Sequence, residues 1–343
     1  MTGAAAIRTL VTRAGERLAF TALGFGTAPL GNMHIALTDA QAQATVRRAL
    51  DLGLGYFDTA PLYGLGLAER RLGEALGGDG SPLLSTKVGR LLEPSAAGEG
   101  SGGIYVETPA LKVAFDYSWD GVMRSVEASL SRLGRDRVDI LFVHDVDVAT
   151  HGSPAAAEAK IAELMESGGW RALSELRAGG VVKAIGAGVN ECAPCERLLA
   201  LADPDLFLLA GRYTLLDPSA LTSVLPACQK KGVGVVMGGP FNSGILATGS
   251  APGAKYDYAD ASPAILSAAA ALQTVCARHG VDLATAALRY PLYGPAAVCV
   301  LAGGRTPDEV SHNVASFDVS IPPDLWAELK HEKLIPQDAP TPC

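Results

Sequence analysis

Short apolar runs recur along the chain, each separated from the next by a stretch long enough for one amphipathic helix. The first four are Leu23-Gly24-Phe25-Gly26, Tyr56-Phe57-Asp58, Leu83-Leu84-Ser85-Thr86-Lys87 and Asp139-Ile140-Leu141-Phe142-Val143-His144. Val181 to Gly186, Leu206 to Leu209, Val233 to Met237 and Ala297 to Leu301 complete the set. Runs of this length without strict polar alternation predict strands buried on both faces. Thr38 caps a predicted helix that continues to about Leu52, with Val46, Ala49 and Leu50 on its apolar face. Leu67 to Leu76 is a second helix, ended by Gly77-Gly78. Further helices are predicted over Trp119 to Leu133, Pro154 to Ala178, Leu221 to Lys231, Ser262 to His279 and Pro307 to Ser316.

Strands alternating with helices imply a parallel α/β sheet, and eight units close a TIM (β/α)8 barrel. Ile7 to Val11 and Arg17 to Thr21 flank the turn Arg13-Ala14-Gly15-Glu16 and predict an N-terminal β-hairpin, while Asp324 to Lys333 predicts an extra C-terminal helix. No linker interrupts the count, so residues 1–343 are expected to form a single domain. Two long segments, Gly89 to Ser118 and Gly238 to Asp260, carry no predicted elements, and the first holds a small-residue tract from Pro94 to Gly103. Loops of that length are usually functional.

Composition narrows the classes. The chain has 48% hydrophobic residues and a formal net charge of −8, with a mean hydropathy of +0.22. That charge opposes attraction to a polyanion, so nucleic acid is not expected as a partner. No apolar run approaches the roughly 18 residues of a membrane span, and the N-terminal stretch with Arg8, Arg13 and Arg17 lacks a signal-peptide core. A cytoplasmic location without membrane contact is expected. The six cysteines Cys192, Cys195, Cys228, Cys276, Cys299 and Cys343 are scattered and are expected to be reduced.

The chemistry gathers at strand ends. Asp58 closes the second predicted strand and Tyr63 follows five residues later; Lys87 ends the third and His144 the fourth. In a parallel barrel the carboxyl ends of the strands form the face that carries catalysis. A tyrosine, with a reference pKa of about 10, is a poor proton carrier near neutrality. A nearby ammonium favours its phenolate, and a carboxylate holds that ammonium in place.

This order of Asp, Tyr, Lys and His resembles the aldo-keto reductase family. The longer match, Phe57-Asp58-Thr59-Ala60-Pro61-Leu62-Tyr63-Gly64 with Val143-His144-Asp145, is similar to its aldose 1-dehydrogenase branch. The resemblance implies a barrel plugged at its base by the hairpin, a nicotinamide cofactor, and Asp58, Tyr63, Lys87 and His144 as the catalytic tetrad. Tyr63, biased to phenolate by Lys87, would take the proton of a sugar's anomeric hydroxyl as hydride leaves to form a lactone, with His144 orienting the oxygen. L-Fucose and D-threo-aldoses are the substrates implied. Pyridoxal, whose internal hemiacetal presents a similar carbon, is the alternative, and a catalytically idle nicotinamide-binding regulatory barrel is a further one.

Cofactor contacts carry over from the same resemblance. Gly26, Thr27 and Asp58 lie at the ends of the first two strands, and Asn190 matches the asparagine on the carboxamide. Val189 and Ala210 replace the usual serine and glutamine. Gly238-Gly239-Pro240-Phe241 resembles the pyrophosphate loop with its stacking tyrosine replaced by Gly238, and Ser243 follows. Tyr213 or Phe241 is the candidate replacement ring. Gly304, Arg305, Thr306, Glu309 and Asn313 open the last barrel helix, whose N-terminus suits an anion. Glu309 stands where NADP-selective members carry an arginine and Gly303 where they carry a lysine, so NAD is expected, with NADP the alternative. Trp119 is the candidate wall of the substrate cavity.

Rival readings fail on motif. Gly24 and Gly26 begin a G-x-G-x-x-G pattern that Pro29 breaks. No tyrosine is followed four residues later by a lysine, as the short-chain dehydrogenase pairing needs. Gly186-Ala187-Gly188 reads as a strand-end turn. Cys192-Ala193-Pro194-Cys195 has redox spacing in the wrong fold context. The six histidines are dispersed, and no metal is expected.

Overall fold

The computed structural model describes residues 3–95 and 103–342. Strands β1 (Ile7–Val11) and β2 (Arg17–Thr21) pair antiparallel, with Ile7 opposite Thr21. β3 (Leu23–Gly26), β4 (Tyr56–Asp58) and β5 (Leu83–Val88) follow, and an antiparallel ribbon of β6 (Arg90–Pro94) and β7 (Leu111–Phe115) leaves the barrel. β8 (Ile140–His144), β9 (Ala184–Val189), β10 (Leu206–Ala210) and β11 (Gly234–Gly238) precede a two-residue ladder of β12 (Lys255–Tyr256) and β13 (Ala259–Asp260). The last strand is β14 (Ala297–Gly303). The eight parallel strands, in chain order, close into a barrel with β14 paired to β3.

Alternation along each strand sorts the core into two shells. Tyr56, Ile140, Phe142, Leu206, Leu208, Val236, Cys299 and Leu301 pack inside the barrel, where Leu10, Leu18 and Phe20 of the hairpin join them. Phe57, Leu141, Val143, Ile185, Phe207 and Val235 point outward and bury against the helices. The same parity turns Asp58, Lys87 and His144 inward, one layer above Tyr56, Ser85 and Phe142.

Several boundaries differ from the sequence expectation. The fifth barrel strand is Ala184–Val189 rather than Val181 to Gly186, because Val181 lies in the turn closed by Gly180 at φ +71°. Gly186 and Gly188 are therefore inner-face residues rather than a strand-end turn. A Cβ on Gly186 would stand 1.7 Å from the Leu206 carbonyl oxygen, and one on Gly188 3.2 Å from Cε of Lys87, so both glycines clear space. The helix expected over Pro154 to Ala178 is two, Pro154–Glu166 and Gly169–Ala178, broken at Gly168 with φ +82°. Leu283–Arg289 is a helix that its alanine-rich, weakly patterned sequence hid. Both long loops hold structure: the ribbon in the first, and β12, β13 and the short turn Ile245–Thr248 in the second. Residues 96–102 of the small-residue tract, and Cys343, lie outside the described residues. Among the described residues no helix is long and apolar enough to cross a membrane.

Candidate active site

Asp58 and Lys87 meet at the mouth of the barrel, each 1% exposed. Lys87 Nζ donates to Asp58 Oδ2 at 2.6 Å and to the Thr59 carbonyl at 2.8 Å. The Ser85 hydroxyl donates to Asp58 Oδ1 at 2.7 Å, and Tyr56 shares a 2.9 Å hydrogen bond with Ser85 beneath it. Lys87 Nζ also sits 4.6 Å from the centroid of the Tyr63 ring. His144 stands edge-on to Tyr63 with ring centroids 6.0 Å apart. The structure thus brings all four sequence-identified residues together.

Their electrostatics depart from the sequence expectation at one point. Burial, with the Asp58 carboxylate next in size, pushes the Tyr63 phenol well above its usual 10. Lys87 does not bias Tyr63 to phenolate in the free protein, because its charge is matched by Asp58 in a dry setting that disfavours any further anion. Burial, then Arg90 and Lys87, hold the His144 imidazole well below its ordinary range, so it is neutral. Burial also raises Asp58, against the opposing pull of Lys87.

Two clefts share Tyr63. The deeper one, of about 610 Å³, includes Lys87, His144, Arg90, Asp145, Tyr105 and Phe115. The second, of about 390 Å³, is a trough floored by glycines: Gly26, then Gly238 to Gly244 around Pro240, Phe241 and Ser243, then Gly303 and Gly304. Gly239, Asn242, Ser243 and Gly244 all have positive φ, which turns this loop into a concave cradle. Buried atoms without partners lie beside it, Thr27 Oγ1 and Asn242 Oδ1. A dinucleotide's phosphates and amide fit such a trough, since its walls offer backbone and unpaired polar atoms and little side-chain bulk. Ala28, Leu208, Ala210 and Tyr258 line both clefts.

Other expected contacts fall less evenly. Asn190 lines the deep cleft, but its amide donates to Asp145 Oδ1 at 3.0 Å. Arg305 and Glu309 line the trough and pair with each other, the Arg305 backbone N–H donating to Glu309 Oε2 at 2.7 Å. Thr306 caps the helix Pro307–Ala315 by accepting from the Glu309 N–H, and Asn313 donates to the Gly303 carbonyl at 3.4 Å. Tyr213 is not at the cleft: it is buried and stacked on Tyr290 with centroids 5.0 Å apart. Nor is Trp119 a cavity wall. It opens the helix Trp119–Leu133 on the outer shell, where its indole donates to Glu175. At Gly238 a Cβ would meet Leu208 Cδ2 at 3.0 Å, so Leu208 fills the space a stacking ring would need. The Cys192 and Cys195 thiols are both raised by burial, unlike a redox pair.

Sequence reasoning missed Arg90, Asp145, Tyr105 and Tyr258. Asp145 directly follows His144, and Arg90 lies three residues after Lys87; proximity to tetrad members was the available signal. Tyr105 and Tyr258 come from the two long loops, where no periodicity pointed inward.

A barrel with an acid, phenol, ammonium and imidazole at one mouth, beside a glycine-floored dinucleotide trough, defines a nicotinamide-dependent oxidoreductase. The family model described as "Aldo/keto reductase family" matches residues 22–332, and the chain belongs to that family. It is 42% identical to the pyridoxal 4-dehydrogenase of Microbacterium luteolum, over 93% of this chain and 95% of that protein. It is 37% identical to the D-threo-aldose 1-dehydrogenase of a Pseudomonas species, over 94% and 97%. Among solved structures it is similar to the holo form of an aldo-keto reductase from Bacillus halodurans, with TM-score 0.73 and 25% identity over 96% of each chain.

The position of Tyr63 depends on a contact between two loop backbones. A Cβ on Gly31 would lie 2.6 Å from the Gly64 nitrogen and from the Tyr63 carbonyl carbon, so the loops touch only because neither residue has a side chain. Gly31→Ala is expected to displace the phenol and lower kcat on the order of 100-fold, the cost of an ångström-scale misplacement, while circular dichroism stays unchanged. A variant with near wild-type kcat would show that this contact does not position the phenol.

Proposed function

We propose that this protein oxidises the hydroxyl of a cyclic hemiacetal to the corresponding lactone, with NAD as hydride acceptor. The observation that carries this is the meeting of the two clefts at Tyr63: the phenol faces both the space for a small substrate and the trough for a dinucleotide. The bound nicotinamide supplies the electron-pair acceptor for the hydride. The protein manages the proton. Tyr63 takes it from the hemiacetal oxygen in oxidation and returns it to a developing alkoxide in reduction. Lys87 stabilises the phenolate when it forms, Asp58 holds Lys87, and neutral His144 hydrogen-bonds the reacting oxygen without competing for its proton.

Wall chemistry orders the substrates. Tyr105, Phe115 and Tyr258, together with the aliphatic Ile104 and Val113, line the deep cleft, and the three rings suit a planar aromatic hemiacetal of the pyridoxal type. This favours pyridoxal over the aldoses that the sequence put first, in keeping with the higher identity to the pyridoxal dehydrogenase. An aldose remains the second reading, favoured by the polar edge of Thr150 and Asn190. The tetrad geometry weighs against an idle barrel.

Measuring NADH formation with pyridoxal, L-fucose, D-arabinose and L-galactose tests the reaction. Turnover of pyridoxal with the highest kcat/KM is expected, and Tyr63→Phe should lose nearly all of it while retaining NADH affinity. No turnover with any compound, or an active Tyr63→Phe, would overturn the reading. Because Tyr63 titrates above 10, its base form grows as pH rises: oxidative kcat/KM is expected to climb through about pH 9, and reductive kcat/KM to stay level there. An oxidative plateau below neutrality would mean that the proton acceptor is another group. Since Glu309 lines the trough and engages Arg305, a 2′-phosphate meets a carboxylate rather than a free cation. NAD should exceed NADP by more than about tenfold in kcat/KM, as like charges at close range cost several kcal/mol, and Glu309→Gln should narrow the gap. A native preference for NADP would reverse the assignment.

A further inference from the structure

The deep cleft contains a second buried charge pair that the proton-transfer chemistry does not use. Arg90, the first residue of β6, is 9% exposed, and Asp145 is 6% exposed. Arg90 Nη2 donates to Asp145 Oδ2 at 2.5 Å and to the Thr150 hydroxyl at 3.3 Å, and the guanidinium lies over the Phe115 ring at 5.1 Å. Asp145 is held at φ +48°, a strained conformation for a residue with a side chain.

The two partners are not equally satisfied. The Asp145 carboxylate accepts from Arg90 through Oδ2 and from Asn190 through Oδ1, and His144 Nε2 stands 3.2 Å from Oδ2. The guanidinium, with five N–H groups, uses only those on Nη2 among the described residues. Arg90 Nε is buried without a partner. Nη1 bonds no described protein group either. Arg90 lines the cavity, so the pair leaves Nη1 of a permanent cation as the donor available there, while both Asp145 oxygens are already engaged. The ligand group that matches this is a hydrogen-bond-accepting oxygen. A single Asp145 oxygen is close to both Arg90 and His144, so the two side chains border the same part of the cavity, and an oxygen held by Arg90 would be a near neighbour of the one at His144. On a planar lactol, that is the position ortho to the hemiacetal carbon.

We propose that Arg90 is a specificity-determining residue that selects cyclic hemiacetals carrying a phenol oxygen ortho to the reacting carbon. This rests on the hemiacetal oxidation proposed above and names the feature of the substrate that the cavity reads. A site built to hydrogen-bond a substrate group discriminates strongly against the analogue lacking it, because its buried donors are then left unpaired.

The test compares pyridoxal with its deoxy analogue lacking the phenol oxygen, in the wild type, in Arg90→Gln, and in Arg90→Gln combined with Asp145→Asn so that no carboxylate is stranded. The wild type is expected to favour pyridoxal in kcat/KM by roughly 10- to 100-fold, the range for a hydrogen bond to a charged group. In both variants the ratio should fall to near one, through KM. NADH affinity, measured by fluorescence, verifies that each variant retains its fold. A wild type indifferent to the phenol oxygen, or a variant that keeps the preference, overturns the proposal. If neither compound is turned over, the reaction assignment fails and Arg90 is judged separately, by titrating the enzyme–NADH complex with the lactone of pyridoxal and with its deoxy counterpart. Equal Kd values there would sink the Arg90 proposal, and a preference abolished by Arg90→Gln would sustain it.

Discussion

The arrangement at the barrel mouth depends on the ion pair of Asp58 and Lys87. Placing two opposite charges where each is 1% exposed is costly, and their mutual attraction offsets the desolvation only when the remaining polar valences are filled. Here most are filled: Ser85 occupies the second carboxylate oxygen, the Thr59 carbonyl takes a second ammonium proton, and Tyr56 secures Ser85 from the layer below. Much of the surrounding sequence serves this pair. Gly188 leaves room for the lysine stem, and strand parity brings the acid and the ammonium to neighbouring inward positions. Well-packed apolar pairs often hold a protein core together as well, which favours a chemical reason for these charges, as proposed above.

That reason is subtler than a simple lowering of the phenol's pKa. Since Lys87 is matched by Asp58, the region around Tyr63 carries no net positive charge, and burial keeps the phenol protonated. The ammonium is nevertheless 4.6 Å from the ring, so it is in place for charge that develops during the reaction without ionising the resting residue. A donor fixed beforehand where charge will appear acts mainly on the transition state. The neutral state of His144 belongs to the same design: an imidazolium beside Lys87 and Arg90 would add a third cation to a dry pocket.

The sequence disclosed the chemistry more fully than the boundaries. Asp58, Lys87 and His144 could be placed because each ends an apolar run, and a period of two then sends them to one side. The fifth strand was misplaced by three residues because Val181-Val182 look like strand while Gly186 and Gly188 look like a turn; the inside of a barrel wants glycine where a lysine crosses it. Trp119 and Tyr213 were misjudged for another reason. Large aromatics near strand ends suit a ligand or an outer helix seam equally well, and only tertiary packing separates the two. Arg90 was invisible as a cavity residue because nothing local indicates that Gly89, with φ +97°, turns the chain back over the mouth.

Chemistry and selectivity consequently occupy different parts of the molecule. The residues proposed to handle the proton sit at strand ends and on the short loop beyond β4, where the barrel's hydrogen-bonded register fixes them. Most of the surfaces that would touch the rest of a substrate, Arg90, Tyr105, Phe115 and Tyr258, come from the ribbon of β6 and β7, the segment that connects its two strands, and the small ladder of β12 and β13. Those segments can change length and side chains without disturbing a closed sheet, because only their ends are anchored in it. A barrel of this kind can therefore keep one chemistry and exchange its substrates, and relatives 42% and 37% identical to this chain are named for pyridoxal and for an aldose. For this chain the reading proposed above turns on what the loops bring to the mouth: aromatic faces and a guanidinium with a donor to spare.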